Sequence, residues 1–224
     1  VIAFRSILGT QGAQATNLVL DLPAGHVAGD LLIAIVVGWK ATPPSAHPAT
    51  PSGWTLMESD IFAGARHVGD VYARVDTGSL GSTVTFVYPT AHYASGVVAA
   101  YSGAGSVEAS EIALRAGGTS VPFTAAAMTT LSANAMVVLI GMNQGGYVGS
   151  VAPPAGYTER LEFGDSNLNT LMWLADAIQA SAGAIGSPAF SNIATPQSDV
   201  EMVSLALAEP GGGAAAFIPK VVSY

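Results

Sequence analysis

One short phrase occurs twice in this chain. Residues 51–58 read PSGWTLME and residues 154–161 read PAGYTERL. Each sets Pro, a small residue, Gly, an aromatic and Thr in the same order. An internal repeat constrains a fold more tightly than any single segment, because both copies must build the same local structure. The flanking blocks extend the match. GDLLIAIVVG (29–38) precedes the first phrase and NAMVVLIGMN (134–143) the second. VGDVYARVD (68–76) then stands against TLMWLADAI (170–178), and STVTFVY (82–88) against GSPAFSN (186–192). SGVVAAYSG (95–103) stands against DVEMVSLALAEP (199–210).

The blocks read as strands. VYARV alternates, with Val71, Ala73 and Val75 on one face and Tyr72 and Arg74 on the other, and TVTFVY places Val84, Phe86 and Tyr88 together. Alternation with period two marks a half-buried strand. LLIAIVV and MVVLIGM are apolar at every position, which fits central strands covered on both faces. Turn punctuation (PAGHVAGD, GSLGS, SGAGS, QGGYVG, SAGAIGS) falls between them. LMWLADAIQASA (171–182) is ambiguous, since Leu171, Leu174, Ala175 and Ile178 also share a helical face; its alignment with VYARV favours a strand. VEASEIALRA (107–116) reads as part of a connection with room for a helical turn capped by Ser106. The expected fold is all-β, a β-sandwich of jelly-roll type built from two pseudo-repeated halves packed face to face. Its parts are an N-terminal segment (1–16), a first half (17–106), a connection (107–118), a second half (119–210), and a Gly linker with a C-terminal arm (211–224).

Composition narrows the function classes. Charged residues make up 10% of the 224 and the formal net charge is -8, against a usual charged share of ~25%. Seven Lys and Arg residues do not supply the basic footprint that nucleic acid or anionic lipid requires, so neither nucleic acid nor membrane is an expected partner. The apolar run Leu31–Val37 is far shorter than the ~20 residues of a membrane helix. The opening VIAFRSILGTQGAQ lacks the long apolar core of a signal peptide. With no cysteine, disulfides and thiolate metal sites are excluded.

No stretch selects a chemistry. The histidines, His26, His47, His67 and His92, lack the close spacing common in metal sites and read as exposed loop residues. Asp60 and Asp70 flank the loop carrying Arg66 and His67, but nothing singles them out as the facing carboxyl pair of a glycosidase. GDSNLN (164–169) alternates Asp165, Asn167 and Asn169, a spacing open to Ca2+, yet also the ordinary composition of a loop. GxSxG and phosphate-cradling glycine motifs are absent. No catalytic residue, metal or cofactor is therefore expected. Trp54 and Tyr157 occupy matched repeat positions and read as fold-defining core plugs. Trp39 and Tyr147 are the candidates for surface binding, of a glycan for instance. After Gly211–Gly213, the residues Phe217, Ile218, Val221, Val222 and Tyr224 form an apolar terminal segment suited to docking, on its own domain or on a neighbour.

AGDLLIAIVV, PPSAHPATPSGWTLME, VYARVD, FVYP and VVAAYSG together resemble a β-sandwich domain that recurs in tailed-phage virion proteins (minor tail proteins, tail fibres, capsid decorations) and in some bacterial surface proteins. APPAGYTERLE and LADAIQASAGAIG resemble the second half of the same domain. The resemblance covers residues 17–210 and brings no catalytic residues with it. It implies a non-enzymatic structural protein on the virion surface, present in many copies or as a homo-oligomer and partnered by other capsid or tail proteins. A carbohydrate-binding module contacting host-surface glycans is the alternative, and a polysaccharide-degrading enzyme a more distant one.

Overall fold

The computed structural model describes residues 1–62, 66–116, 123–144, 151–165, 170–191 and 199–211. Among the described residues every regular element is a strand. In chain order they are β1 (Ala3–Asp21), β2 (Leu31–Trp39), β3 (Thr55–Phe62), β4 (His67–Val75), β5 (Thr83–Ser102), β6 (Ser106–Ala116) and β7 (Phe123–Thr124). Then come β8 (Thr129–Thr130), β9 (Ala135–Gln144), β10 (Thr158–Asp165), β11 (Thr170–Gln179), β12 (Gly183–Ala184), β13 (Ala189–Phe190) and β14 (Asp199–Ala208). All pairings are antiparallel.

The repeat is real in three dimensions. One compact unit is built on Ala3–Gly105, and a second begins at Ser106 and includes Val1–Ile2. The first holds a five-stranded sheet ordered β1-β5-β2-β4-β3, and the second a five-stranded sheet ordered β6-β14-β9-β11-β10. Each therefore runs first strand, last strand, second, fourth, third. β2 and β9 lie at the centres, which explains their unbroken apolar sequence: both faces of each are buried. LMWLADAIQ is strand β11, paired with β9 along its full length.

Two sequence expectations need correction. Residues 3–16 are not a separate segment but belong to β1. Residues 106–116 carry no helical turn and form β6, the counterpart of β1. The Ala and Glu content of VEASEIALRA suits a helix in isolation, but its backbone groups are taken up by a ladder with β14 from Ser106 to Ala116.

Within the first half the sandwich is made by bending. β1 and β5 pair over nearly their whole length, with register shifts at Gln11/Gln14 and Ala15/Asn17. Bulges bend strands. Beyond them, Asn17–Asp21 pairs with Thr83–Val87 as a ribbon, to which Ala49 adds a bridge at Val87. The inward row of this second layer (Leu18, Leu20, Val84, Phe86, Tyr88) shares one core with Leu32, Ala34, Val36, Val68, Tyr72 and Val98 of the sheet. Close approach is required where the layers meet: a Cβ on Gly96 would lie 2.8 Å from the Leu20 side chain. In the second half the short pairs β7–β13 and β8–β12, with an Ala152–Ser191 bridge, take the ribbon's place. There Phe123, Met128 and Phe190 pack with Val137, Leu139, Leu171 and Trp173.

The repeated phrase is a turn. Trp54 N–H donates to the Pro51 carbonyl at 3.1 Å, and Tyr157 N–H to the Pro154 carbonyl at 3.0 Å. The third turn residues, Gly53 and Gly156, have φ of 78° and 86°, the positive value that a type II turn demands and glycine supplies. Trp54 is buried and meets Phe86 edge-on at 6.2 Å. Tyr157 is only half-buried, packed on the rim of its core.

Candidate functional site

The two halves differ sharply at one equivalent position. On the core face of β4, Asp70 pairs with Val36 of β2; on the core face of β11, Trp173 pairs with Gly141 of β9. In the second half the place is dry. Trp173 lies against Gly141 so closely that a Cβ there would sit 2.0 Å from the indole, and Phe123 stacks on it at 5.7 Å. In the first half the same place holds a carboxylate with no solvent exposure. A bare carboxylate is costly in such a place unless it is paired.

His47 supplies the pair. Its Nδ1 lies 2.8 Å from Asp70 Oδ1, and its side chain remains about a third exposed (35%). Burial alone would lower the His47 pKa, but the hydrogen bond and charge of Asp70, with Asp60 behind it, outweigh that and raise it. Burial pushes Asp70 up, against the pull of His47. Asp60 is likewise raised by burial. Tyr72 and Tyr88, both buried, are raised by desolvation and by the neighbouring Asp70 charge, so both remain phenols at any ordinary pH.

His92 fixes the preceding residue of the same loop. Its Nδ1 lies 2.7 Å from the Thr90 carbonyl and its Nε2 3.1 Å from the Ala46 N–H. A carbonyl can only accept and an amide N–H only donate, so the ring is neutral with its proton on Nδ1. Burial lowers its pKa, as a neutral ring requires. Its ring also stacks on Tyr88 at 4.5 Å. Further anchors hold the segment between β2 and β3. Lys40 N–H and the Ser45 hydroxyl both donate to the Arg66 carbonyl, and Ala49 N–H donates to the Val87 carbonyl at 2.8 Å.

The remaining histidines are held too. His26 Nδ1 lies 2.7 Å from Asp76 Oδ2, while Asp76 Oδ1 accepts the Gly78 N–H. His67 is fully buried on β4, its pKa lowered to about 3 by burial and by the Arg66 charge. The expectation of exposed loop histidines is thus corrected: His67 and His92 are buried in strands, and His26 and His47 are fastened to buried aspartates. Their partners lie far away in the sequence, 50 residues for His26 and 23 for His47, so no local spacing announces them.

Trp39 sits half-buried at the end of β2, its ring 5.4 Å from that of Tyr93 and 6.3 Å from that of His67. Tyr147 lies outside the described residues, as do Phe217, Ile218, Val221, Val222 and Tyr224, and residues 166–169 of the GDSNLN loop. Among the described residues no group of His, Asp and Glu has the arrangement of a metal site. An apolar recess lined by Ala113, Leu114, Phe123, Thr124 and Met202 opens in the second half, with Thr124 its only polar side chain. Comparison with protein-family models, with curated proteins and with solved structures finds no match to this chain.

Chemically, the first-half cluster is a set of fasteners. The Ser45 hydroxyl is engaged with a carbonyl, both His92 nitrogens are used, and the Asp70 carboxylate is sealed from solvent. The exposed edge of His47 and the Trp39–Tyr93 ledge remain open to an outside molecule.

Proposed function

We propose that the chain is a non-enzymatic structural protein of a tailed-phage virion, a capsid decoration or tail-associated component, acting in particle assembly or surface attachment. The observation that carries the reading is the use made of its reactive side chains. His26, His47 and His92 each tie one segment of backbone or side chain to another within the first half, as a scaffold uses them. The resemblance of the GD-apolar run and the Pro-x-Gly-aromatic-Thr turn to virion β-sandwich domains supplies the setting. Low charge and a duplicated sheet fit a module that works in many copies, where weak individual contacts add up.

The C-terminal segment Phe217–Tyr224 is the assembly arm in this reading. Deleting residues 211–224 leaves a folded protein that no longer joins its assembly, as native mass spectrometry and electron microscopy of reconstituted particles would read it. Normal assembly of the truncated chain overturns the arm's role.

The half-exposed Trp39–Tyr93 ledge favours a second reading, contact with a host glycan, since aromatic faces stack on sugar rings. Glycan-array binding that Trp39→Ala abolishes supports it; absent or unchanged binding removes it.

A further inference from the structure

Adjacent residues of the loop between β2 and β3 are held by two histidines whose contacts favour opposite charge states. His47 Nδ1 reaches down to Asp70 Oδ1 at 2.8 Å, a contact that favours the protonated ring. One residue earlier, the Ala46 N–H is accepted by neutral His92 at 3.1 Å. We propose that this pair is a pH-gated latch: the loop 44–50 is seated in a window around mild acidity to neutrality and released on either side of it.

The signs follow from the contacts. His92 can accept from Ala46 only while Nε2 is bare. Its lowered pKa means that its contribution to closure is whole above the ordinary histidine value of ~6.5 and is lost as pH falls below that. His47 behaves oppositely. Its raised pKa makes its contribution whole below ~6.5 and lost as pH rises through its own value. Seating His47 pulls the Asp70 carboxyl down against burial, so protonation of Asp70 also weakens the seat as pH falls, and the acid limb is shared by His92 and Asp70. Other titratable groups stand on each neighbouring element. Asp60 and Glu58 stand on β3, His67 and Tyr72 on β4, and Tyr88 on β5, with Lys40 and Arg66 at the loop's approaches. Of these, Asp60 adds to the cation's stability and Lys40 to the neutrality of His92.

The second half carries a built-in control. Its equivalent loop makes the same bridge, Ala152 to Ser191, with N–H···O distances of 2.9 and 3.0 Å. That loop is tied by the Val151 N–H to Glu162 at 2.8 Å, without a histidine. All four histidines of the chain lie in the first half. Release of the first loop would withdraw Ala49 from Val87 and bare that edge of the ribbon.

The test is amide hydrogen exchange by NMR on the full chain from pH 5 to 8.5, corrected for the intrinsic rate. Protection of Ala46 and Ala49 should peak near pH ~6.5 and fall on each side by up to about tenfold per pH unit for each linked proton, while Ala152 stays level. His92→Gln, which keeps an acceptor but does not titrate, should shrink the acid limb to the share that Asp70 supplies. His47→Gln should remove the alkaline limb, and His47→Lys should carry it beyond the range. Protection of Ala46 and Ala49 that is flat in the unmodified protein, or that tracks Ala152, overturns the latch. So does an acid limb undiminished in His92→Gln, or an alkaline limb undiminished in His47→Gln, while circular dichroism shows the variant folded. Should a variant fail to fold, the Ala49 and Ala152 profiles of the unmodified chain decide alone.

Discussion

At the scale of single residues, the repeat is less symmetric than its letters suggest. Trp54 and Tyr157 follow the same Gly in the same turn, yet Trp54 is 6% exposed and Tyr157 is half-buried. Trp54→Ala should therefore cost about 3–5 kcal/mol, the usual range for a large buried aromatic, and Tyr157→Ala distinctly less, by urea denaturation. The Gly141–Trp173 contact makes a second test. A methyl placed 2.0 Å from the indole must displace it, so Gly141→Ala should destabilise by roughly 1–3 kcal/mol and shift the fluorescence of Trp173. Asp70 is the residue that sequence reading handled least well. Alternation in VYARV placed Val71, Ala73 and Val75 on one face, which is correct, but it gave no sign that Asp70 and Tyr72 face a core as well. The block alignment sets Asp70 against Met172, one residue off the Trp173 that strand pairing makes its counterpart, so the exchange was hidden. The partner of Asp70, His47, could not be found, because that contact is made by tertiary folding.

Among the elements, those with a plain period or an unbroken apolar run were legible, and the edges were not. β2, β9, β4, β11 and the outer part of β5 follow from sequence because burial on one or both faces writes itself into residue choice. β1 and β6 lie at sheet edges, each paired on one side only. An edge strand is free to carry polar residues and bulges, so its pattern fades. Residues 3–16 and 106–116 hid for this reason. The turn at each repeat was legible in full, since Pro, Gly and an aromatic in that order leave few alternatives. At the candidate site, Trp39 stood out in the sequence, while the side chains that tie down the loop behind it did not.

At the scale of the molecule, the halves share a topology but not a chemistry. One keeps all four histidines, with aspartates buried beneath two of them; the other fills the matching space with indole and phenyl rings. Their responses to acid should diverge. His67 is held neutral, its pKa down at about 3. That contribution to stability is whole above the ordinary histidine value of ~6.5 and is lost as pH falls through that value toward about 3. His92 has the same sign. Acid should therefore loosen the first half before the second. In a variant with Trp39 and Trp54 replaced by Phe, the remaining Trp173 should report a transition at lower pH than backbone signals from β2 and β4. Simultaneous transitions would contradict this.

The strand pairing also decides how each half answers to force. Ala3 at the start of β1 lies opposite Ser102 at the end of β5, and Ser106 opposite Ala208 in the second half. In each, the chain arrives and departs at the same end of one antiparallel ladder. Tension drawn through those two points separates the rungs in sequence, as a zip opens, and never loads them together in shear. A module wired this way is compliant along its own chain, so any rigidity it lends to a larger body must come from contacts made sideways.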